Sequence, residues 1–271
     1  MTAVPAELTA GPVWDAALRG NRQGTILDRD PDNLTYVHSL ETLKSEEGRR
    51  YQRDKYLPKI ELLAARFGDS FRDVRLLDVG VGYGFFLSML EKDFGLSRLH
   101  GMDPFPKSIE IASSMTSAQI VSGDITDETW PFEPGMFDII TCFDVVEHLE
   151  EPESFFRNCK RVLKPGGTVV VTTPLLALPY RMRRVPLIGI PDTNPTHISI
   201  RKPSYWRALA KRNGFTIAAQ WKGEHLAHVR LLPRLMRNIC RVLRIDHRKV
   251  PLLNSFEQSY CMMLELGGVD A

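Results

Sequence analysis

The residues best suited to chemistry in this chain are aspartates that close short apolar runs. They are Asp78, Asp103 and Asp124. Asp78 is followed by glycines at every second position, namely Gly80, Gly82 and Gly84. A carboxylate at a strand end can accept hydrogen bonds from the hydroxyl or amino groups of a ligand, and glycines let the backbone approach that ligand closely. The pattern therefore predicts a site for a nucleotide-like ligand.

The glycine spacing argues against a dinucleotide such as NAD. A dinucleotide-binding turn needs glycine at its first, third and sixth positions, so that the pyrophosphate can approach the helix N-terminus. Counting from Gly80, the sixth position is the bulky Phe85. Tyr51 and Lys55 have the spacing of the Tyr–Lys pair of short-chain dehydrogenases, but here they precede the nucleotide strand instead of following it. A nicotinamide oxidoreductase is thus the disfavoured alternative.

Alternating strands and helices must position these residues. From Val74 to Pro174 the apolar pattern reads strand, helix, strand, helix, strand, strand, helix, strand. Such alternation predicts a parallel sheet with helices on both faces. Further on, 202–213 reads as a helix with proline near its start and glycine just past its end. Strands are predicted at 216–221 and 258–266. The predicted fold class is α/β, with a Rossmann-like sheet of seven strands.

Five segments of this region resemble, in order and spacing, the class I methyltransferases that depend on S-adenosylmethionine (SAM). The segments are 74–84, 97–103, 118–125, 137–149 and 161–174. The resemblance implies that SAM is the cofactor, that S-adenosylhomocysteine is its product, and that the last strand is antiparallel. It implies that Asp78 holds the amino group of the ligand, Asp103 the ribose hydroxyls and Asp124 the adenine amine. The predicted cofactor site is Asp78, Gly80, Gly82, Gly84, Asp103, Pro104, Asp124, Ile125 and Phe143.

Two histidines are candidates for the base that removes a proton from the methyl acceptor. His148 follows the fourth strand, at the sheet edge where ligands bind in such folds, and an imidazole titrates near neutral pH. His197 lies in the loop that enters the helix after the fifth strand. A structural role is the alternative for each histidine. Glu147 could orient His148 or bind a metal, but the sequence does not reveal a set of converging carboxylates, so no metal is predicted.

The chain divides into a cap and a catalytic domain. Residues 1–70 are predicted to form a lead-in and cap helices, with Pro58 starting or breaking a helix. Residues 71–271 are predicted to form the methyltransferase domain, with insertions at about 175–200 and 223–255. The resemblance implies that the cap helices cover the SAM site and contribute to the acceptor site.

Composition places the chain among ordinary globular proteins. Its 271 residues, 43% apolar and 25% charged, suit one domain with additions. The cysteines are scattered without a C-x-x-C pair, which predicts reduced thiols and no disulfide framework; they are Cys142, Cys159, Cys240 and Cys261. The N-terminus lacks the basic start and apolar stretch of a signal peptide. We therefore expect a cytoplasmic protein.

The net charge of +2 conceals a strong asymmetry. Residues 174–250 hold 16 Lys and Arg against 3 Asp and Glu, whereas the rest of the chain holds 19 against 30. Within 228–249, arginines recur at steps of four and three, which places them on one face of a helix. These arginines are Arg230, Arg234, Arg237, Arg241, Arg244 and Arg248.

A basic amphipathic helix of this kind docks on the body of the protein, binds an anionic acceptor or lies on an anionic membrane. The stripe lacks interleaved aromatic residues, which argues against nucleic acid as a partner. The insertion after the fifth strand resembles, in position and character, that of ubiquinone-pathway O-methyltransferases, which act on membrane-resident quinone precursors. The resemblance adds weight to peripheral contact with an anionic membrane through 228–249, while docking on the body and binding of an anionic acceptor stay the alternatives.

The predicted function is SAM-dependent methyl transfer to a small-molecule acceptor. A hydroxyl or phenol is the predicted methyl acceptor, on a molecule that is apolar or lipid-like. N- and C-methylation remain alternatives, because the glycine motif reports the donor and not the acceptor. A SAM-binding scaffold without turnover is the alternative of another class.

Overall fold

The computed structural model describes residues 40–175, 197–222, 239, 242–243 and 259–266. The strands are β1 Leu76–Val79, β2 Leu99–Asp103, β3 Gln119–Ser122, β4 Phe137–Phe143, β5 Leu163–Pro174, β6 Phe215–Lys222 and β7 Ser259–Leu266. The α-helices are α1 Leu40–Lys44, α2 Glu46–Phe67, α3 Phe85–Phe94, α4 Pro106–Met115, α5 Glu153–Val162 and α6 Pro203–Arg212. Short 3-10 helices cover Gly68–Asp73 and Val146–His148.

The seven strands form one mixed sheet in the order β3-β2-β1-β4-β5-β7-β6. The first five strands run parallel to one another, and β7 is antiparallel to both β5 and β6. This arrangement confirms the predicted α/β class, the seven strands and the antiparallel last strand. The chain order reverses between β1 and β4, and ligands of open α/β sheets bind at the carboxyl ends of strands beside such a reversal.

The sheet is buried on both faces, which is why its central strands read as unbroken apolar runs. One face packs against α5 and α6, with Phe155, Phe156 and Trp206 fully buried. The other packs against the helices of the first half, where Leu63 and Leu87 are fully buried. Because the core holds the strands rigidly, the residues that follow the strand ends are held at one edge.

The cap helix α2 corrects one prediction. The expectation that Pro58 starts or breaks a helix is wrong, because α2 runs through it from an N-cap at Ser45 to Gly68. The Ser45 side chain accepts a hydrogen bond from the Gly48 N–H at 3.0 Å. Ile60, just beyond the proline, is fully buried against the sheet. This packing offsets a proline cost of about 3 kcal/mol in a helix interior.

The insertions predicted from the sequence lie largely outside the described residues. In the described part of the chain, every helix is too short or too polar to cross a bilayer.

Candidate active site

The loop between β1 and α3 is shaped by its three glycines. Gly80, Gly82 and Gly84 have φ angles of 77°, 54° and 78°, in the left-handed region that glycine adopts without strain. A Cβ atom on Gly80 would collide with the Val145 side chain, and one on Gly84 would lie 3.0 Å from the Ala112 backbone. Gly80 and Gly84, which the sequence indicates as part of a ligand-binding loop, are thus also required by the packing around them.

Asp103, at the end of β2, ties this loop to the neighbouring strand. Its Oδ2 accepts a hydrogen bond from the Gly82 N–H at 2.9 Å, and its Oδ1 accepts one from the Phe105 N–H at 3.0 Å. Burial raises the pKa of Asp103 to about 6, against the lowering effect of these two bonds. A carboxylate oxygen accepts more than one hydrogen bond, so Asp103 can still receive hydroxyl groups of a ligand.

Asp78 lies within β1 and is almost fully buried. The Thr141 hydroxyl on β4 donates a hydrogen bond of 2.6 Å to its Oδ1. Burial raises the pKa of Asp78 to about 7, while the Thr141 hydrogen bond and the charge of Lys55 act in the opposite direction. The side chain therefore changes charge near neutral pH, as suits a group that meets a cationic ligand.

Asp124 follows β3 and commits one oxygen to its own turn. Its Oδ1 accepts hydrogen bonds from the N–H and the hydroxyl of Thr126, at 2.8 and 2.7 Å. Its Oδ2 is buried and has no hydrogen-bond partner among the described residues. Such an atom costs free energy unless a ligand or water donates to it. Asp124 thus presents an acceptor for the amine that the resemblance predicts, with the buried Ile125 beside it.

Pro104 and Phe143 complete the predicted cofactor set. Pro104 follows Asp103 directly and is partly buried. Phe143 ends β4, and its ring lies 4.9 Å from that of Phe86 and 5.8 Å from that of Tyr56, between ring centroids. These contacts join β4 to α3 and to the cap helix α2. The fold brings the predicted set together along adjacent strand ends, and its assignment to SAM stays a prediction.

The two predicted catalytic histidines meet in the structure, although they are far apart in the chain. His148 is buried in the 3-10 helix after β4, and its ring centroid lies 4.9 Å from that of His197. The segment carrying His197 is held in place by two backbone hydrogen bonds. The N–H groups of Ile198 and Ser199 donate to the Glu147 carbonyl at 3.1 and 2.8 Å.

Glu147 is the third member of this group, and the sequence assigned it no definite role. Its side chain is fully buried, with Oε1 at 4.0 Å from the His197 Nε2 atom. Burial raises the pKa of the Glu147 carboxyl well above its usual range, and the nearby Asp144 carboxylate raises it further. The ligand atoms of Glu147, His148 and His197 all lie within 4.8 Å of one another, so these residues could hold a metal ion.

Lys55 is the functional candidate that sequence reasoning missed. From the cap helix its Nζ atom pairs with the Asp144 Oδ2 atom at 2.8 Å. Asp144 has a φ of 57°, alone among the non-glycine residues that the structure describes, and its other carboxylate oxygen accepts a hydrogen bond from the Thr172 hydroxyl at 3.0 Å. The pair fixes the start of the turn that carries Glu147 and His148. A single lysine on a helix gives no sequence signal for such a contact.

Comparison with known proteins agrees with this geometry. The family model described as a methyltransferase domain matches residues 49–220, more than half of the chain. The chain therefore belongs to this family, and with its strand order it is a class I methyltransferase whose cofactor is SAM.

Individual relatives are more distant. The ubiquinone biosynthesis O-methyltransferase of Colwellia psychrerythraea is 29% identical over 157 residues, which are 54% of this chain and 62% of the relative. The chain thus spans less than two thirds of the length of that relative.

Solved structures share the fold at low sequence identity. A putative sarcosine dimethylglycine methyltransferase from Galdieria sulphuraria superposes with a TM-score of 0.55 at 19% identity, covering 78% of this chain and 86% of that one. Phosphoethanolamine N-methyltransferase 2 from Haemonchus contortus, solved in complex with SAM, superposes with a TM-score of 0.54 at 17% identity, covering 84% and 58%.

Proposed function

We propose that this protein transfers the methyl group of SAM to a hydroxyl or phenol oxygen of a small-molecule acceptor. The observation that carries the proposal is the meeting of His148, His197 and Glu147 at the end of β4, beside the glycine loop that would hold the donor. The named relative, an O-methyltransferase, supports oxygen as the acceptor atom.

The chemistry asks little of the protein beyond alignment and proton removal. Methyl transfer is an in-line displacement in which the acceptor oxygen forms a bond to the methyl carbon while the carbon–sulfur bond breaks. The electron pair of that bond stays on sulfur and gives S-adenosylhomocysteine. A hydroxyl acceptor must also lose its proton, and a group that titrates near neutral pH assists this step. The imidazole rings of His148 and His197 are the candidate proton acceptors for this step.

Turnover on matched acceptors tests the proposal. The full chain is incubated with SAM and with apolar catechols and phenols, and both S-adenosylhomocysteine and the gain of one methyl group in the acceptor are measured by mass spectrometry. Analogues with the hydroxyl replaced by a methoxy group should be inert, and amine analogues test N-methylation. Methylation only of amines or carbons would contradict the assignment of oxygen, and S-adenosylhomocysteine binding without any turnover would indicate a scaffold.

We further infer that the acceptor is apolar and is taken from an anionic membrane surface through residues 228–249. The arginine stripe of this segment supports the inference, as do three apolar residues of the segment that the structure describes. Ile239, Val242 and Leu243 are exposed, by 49%, 81% and 62%. A helix docked through these residues would bury them, whereas a membrane-bound helix would insert them into the lipid.

Vesicle binding tests this inference separately from turnover. The full chain should sediment with vesicles that contain phosphatidylserine and should stay in solution with neutral phosphatidylcholine vesicles. Changing Arg234, Arg237 and Arg241 together to Glu should abolish sedimentation, since each basic residue near an anionic surface contributes about 1 kcal/mol. Undiminished binding by this variant would contradict membrane contact through 228–249.

A further inference from the structure

The group formed by Glu147, His148 and His197 contains a buried carboxyl group without a well-formed hydrogen bond. The Glu147 side chain is fully buried. The Thr173 hydroxyl lies close enough to lower the pKa of Glu147, but neither carboxyl oxygen makes a hydrogen bond of normal geometry with the described residues. In native proteins, buried carboxylates are normally paired, hydrogen-bonded or bound to a metal. The structure gives Glu147 an imidazole at 4.0 Å, which is beyond hydrogen-bond distance.

The chain around this carboxylate is organised as a site. The Glu147 carbonyl accepts the two N–H groups that follow His197, so the backbones of the two segments are fixed to each other. His148 is buried, whereas the His197 side chain is 17% exposed. His197 is therefore the member of the group that solvent reaches.

We propose that Glu147, His148 and His197 bind one divalent transition-metal cation. Their donor atoms lie within 4.8 Å of one another. Metal bonds of about 2.0–2.2 Å place donor atoms closer than this, so the side chains draw inward by about 1 Å when the ion binds. Two imidazoles and one carboxylate suit Zn²⁺, Co²⁺ or Fe²⁺, whereas Mg²⁺ prefers oxygen ligands. The proposal differs from the sequence analysis, which predicted no metal.

Three protein ligands leave a coordination position for the acceptor. An ion at this position binds the acceptor oxygen and lowers the pKa of its hydroxyl. The proton passes to solvent water, and the oxygen lone pair then attacks the methyl carbon. With the ion bound the histidines act as ligands, so the ion takes the part in proton removal that the proposed function gives to a histidine when no metal is bound. This role rests on the proposed function, but the binding of the ion does not.

Cobalt titration of the full chain tests the site. After treatment with a chelator, Co²⁺ is added alone, and binding is followed by calorimetry and by the visible absorption that Co²⁺ gains in a site of low coordination number. We expect one equivalent to bind and an excess of Mg²⁺ to leave it in place. Glu147→Gln and His197→Gln should each weaken Co²⁺ binding at least 10-fold, because even residues behind the ligands change metal affinity by about 10–100-fold.

Glu150→Gln is the matched control, since Glu150 is an exposed glutamate three residues along the chain. This variant should bind Co²⁺ like the native chain. Thermal melts establish that each variant is folded, and if Glu147→Gln fails to fold, His197→Gln decides. Failure of the native chain to bind Co²⁺, or undiminished binding by a folded ligand variant, would overturn the proposal. S-adenosylhomocysteine titration of the same samples reports the donor site independently, so failure of the proposed function is seen separately.

Discussion

The candidate site has a proposed donor half, formed by Asp78, Asp103, Asp124 and the glycine loop, and a proposed acceptor half, formed by Glu147, His148 and His197. The two halves differ in how far their buried carboxyl groups are hydrogen-bonded. In the donor half, Asp78 and Asp103 are buried but accept hydrogen bonds from a hydroxyl or from backbone N–H groups of neighbouring strand-end loops. In the acceptor half, Glu147 is equally buried, yet neither of its oxygens makes a hydrogen bond of normal geometry in the described part of the chain. In the donor half each acid has at least one hydrogen bond, and the Asp124 Oδ2 atom is left for a ligand, whereas in the acceptor half both oxygens of Glu147 are left.

This difference follows from how each half is built. The donor acids end adjacent strands of a rigid parallel sheet, so their partners come from the same backbone framework. Glu147 instead lies in a short 3-10 helix opposed by a segment from after β5. A cofactor site whose hydrogen bonds are already formed suits a ligand that is the same across a family. An acceptor site that is less complete suits a substrate that varies from one member to another. Substitutions on either side of this division test it.

Asp103→Ala should cause the largest loss of S-adenosylhomocysteine affinity and should leave the acceptor half unaffected. The change removes two charge-assisted hydrogen bonds that fix the glycine loop, as well as the predicted ribose acceptor. Hydrogen bonds to charged groups contribute about 1.5–3 kcal/mol each, so S-adenosylhomocysteine affinity should fall by about 100-fold or more in calorimetry. Co²⁺ binding should persist. Asp93→Ala, at an exposed aspartate, is the control, and equal losses in both variants would contradict the assignment.

Lys55→Met should destabilise the boundary between the halves. Lys55 pairs with Asp144 at 2.8 Å, with side-chain exposures of only 15% and 22%, and its charge lowers the pKa of both Asp78 and Glu147. Breaking a fully buried pair costs 3–5 kcal/mol, so with this partial exposure we expect a loss of about 2 kcal/mol in chemical denaturation. The double variant Lys55→Met/Asp144→Asn should regain part of this lost stability, because it no longer leaves the Asp144 charge unpaired.

Lys107→Met provides the comparison for the Lys55 experiment. Lys107 pairs with Glu110 at 2.9 Å, but on the surface, where such pairs contribute about 0–1 kcal/mol. A loss for Lys55→Met no larger than for Lys107→Met would show that Lys55 does not secure the boundary between the two halves.

The sequence predicts the donor half better than the acceptor half, for a physical reason. The strands β1, β2 and β4 are buried on both faces, so they appear as apolar runs, and the acids and glycines at their ends stand out against those runs. Short-range backbone requirements, such as the left-handed φ of Gly80 and Gly84, leave a signature at fixed spacing. The strand order and the gathered donor acids could therefore be expected from the sequence.

The contacts of the acceptor half join segments that are distant in the chain. Glu147 lies near His197, fifty residues later in the chain, and Lys55 pairs with Asp144, eighty-nine residues later. No periodicity or motif in the sequence indicates either contact. The helix through Pro58 escaped prediction for a related reason, because tertiary burial of Ile60 overrides a local preference. What depends on long-range packing has to be seen in the structure.

The raised pKa of Asp78 predicts opposite pH trends for stability and for ligand binding. Burial raises this pKa from 3.8 to about 7, so between these values the folded state holds a proton that the unfolded state has lost. Stability should therefore fall as pH rises from 4 to 7. Binding of a cationic amino group needs the carboxylate, so S-adenosylhomocysteine affinity should rise on the order of 10-fold between pH 5.5 and 7.5.

Asp78→Asn separates these two trends. The variant should bind weakly at every pH, and its stability should decline less up to pH 7 than that of the native chain, because the raised pKa values of Asp103 and Glu147 still contribute. Thermal melts and calorimetry across the pH range measure both quantities. An unchanged affinity profile in Asp78→Asn would mean that another group controls the pH dependence.

Thr141→Val should shift that profile without removing the carboxylate. The Thr141 hydroxyl donates the 2.6 Å hydrogen bond that lowers the pKa of Asp78, and valine keeps the shape while removing the donor. The loss should raise the pKa of Asp78 further, above its value of about 7 in the native chain. The midpoint of the affinity rise should therefore move to higher pH, with stability reduced above neutral pH and nearly unchanged at pH 5.

Thr168→Val is the matched control for this change. Thr168 is also a fully buried strand threonine, but its hydroxyl oxygen has no hydrogen-bond partner among the described residues. Removing it should leave the midpoint in place and cost little or no stability, since replacing an unpaired polar group by an apolar one is nearly neutral or favourable. Equal shifts in the two variants would mean that the change acts through general packing. A shift of the midpoint in Thr141→Val alone would show that the hydrogen bond from Thr141 on β4 controls the charge of Asp78.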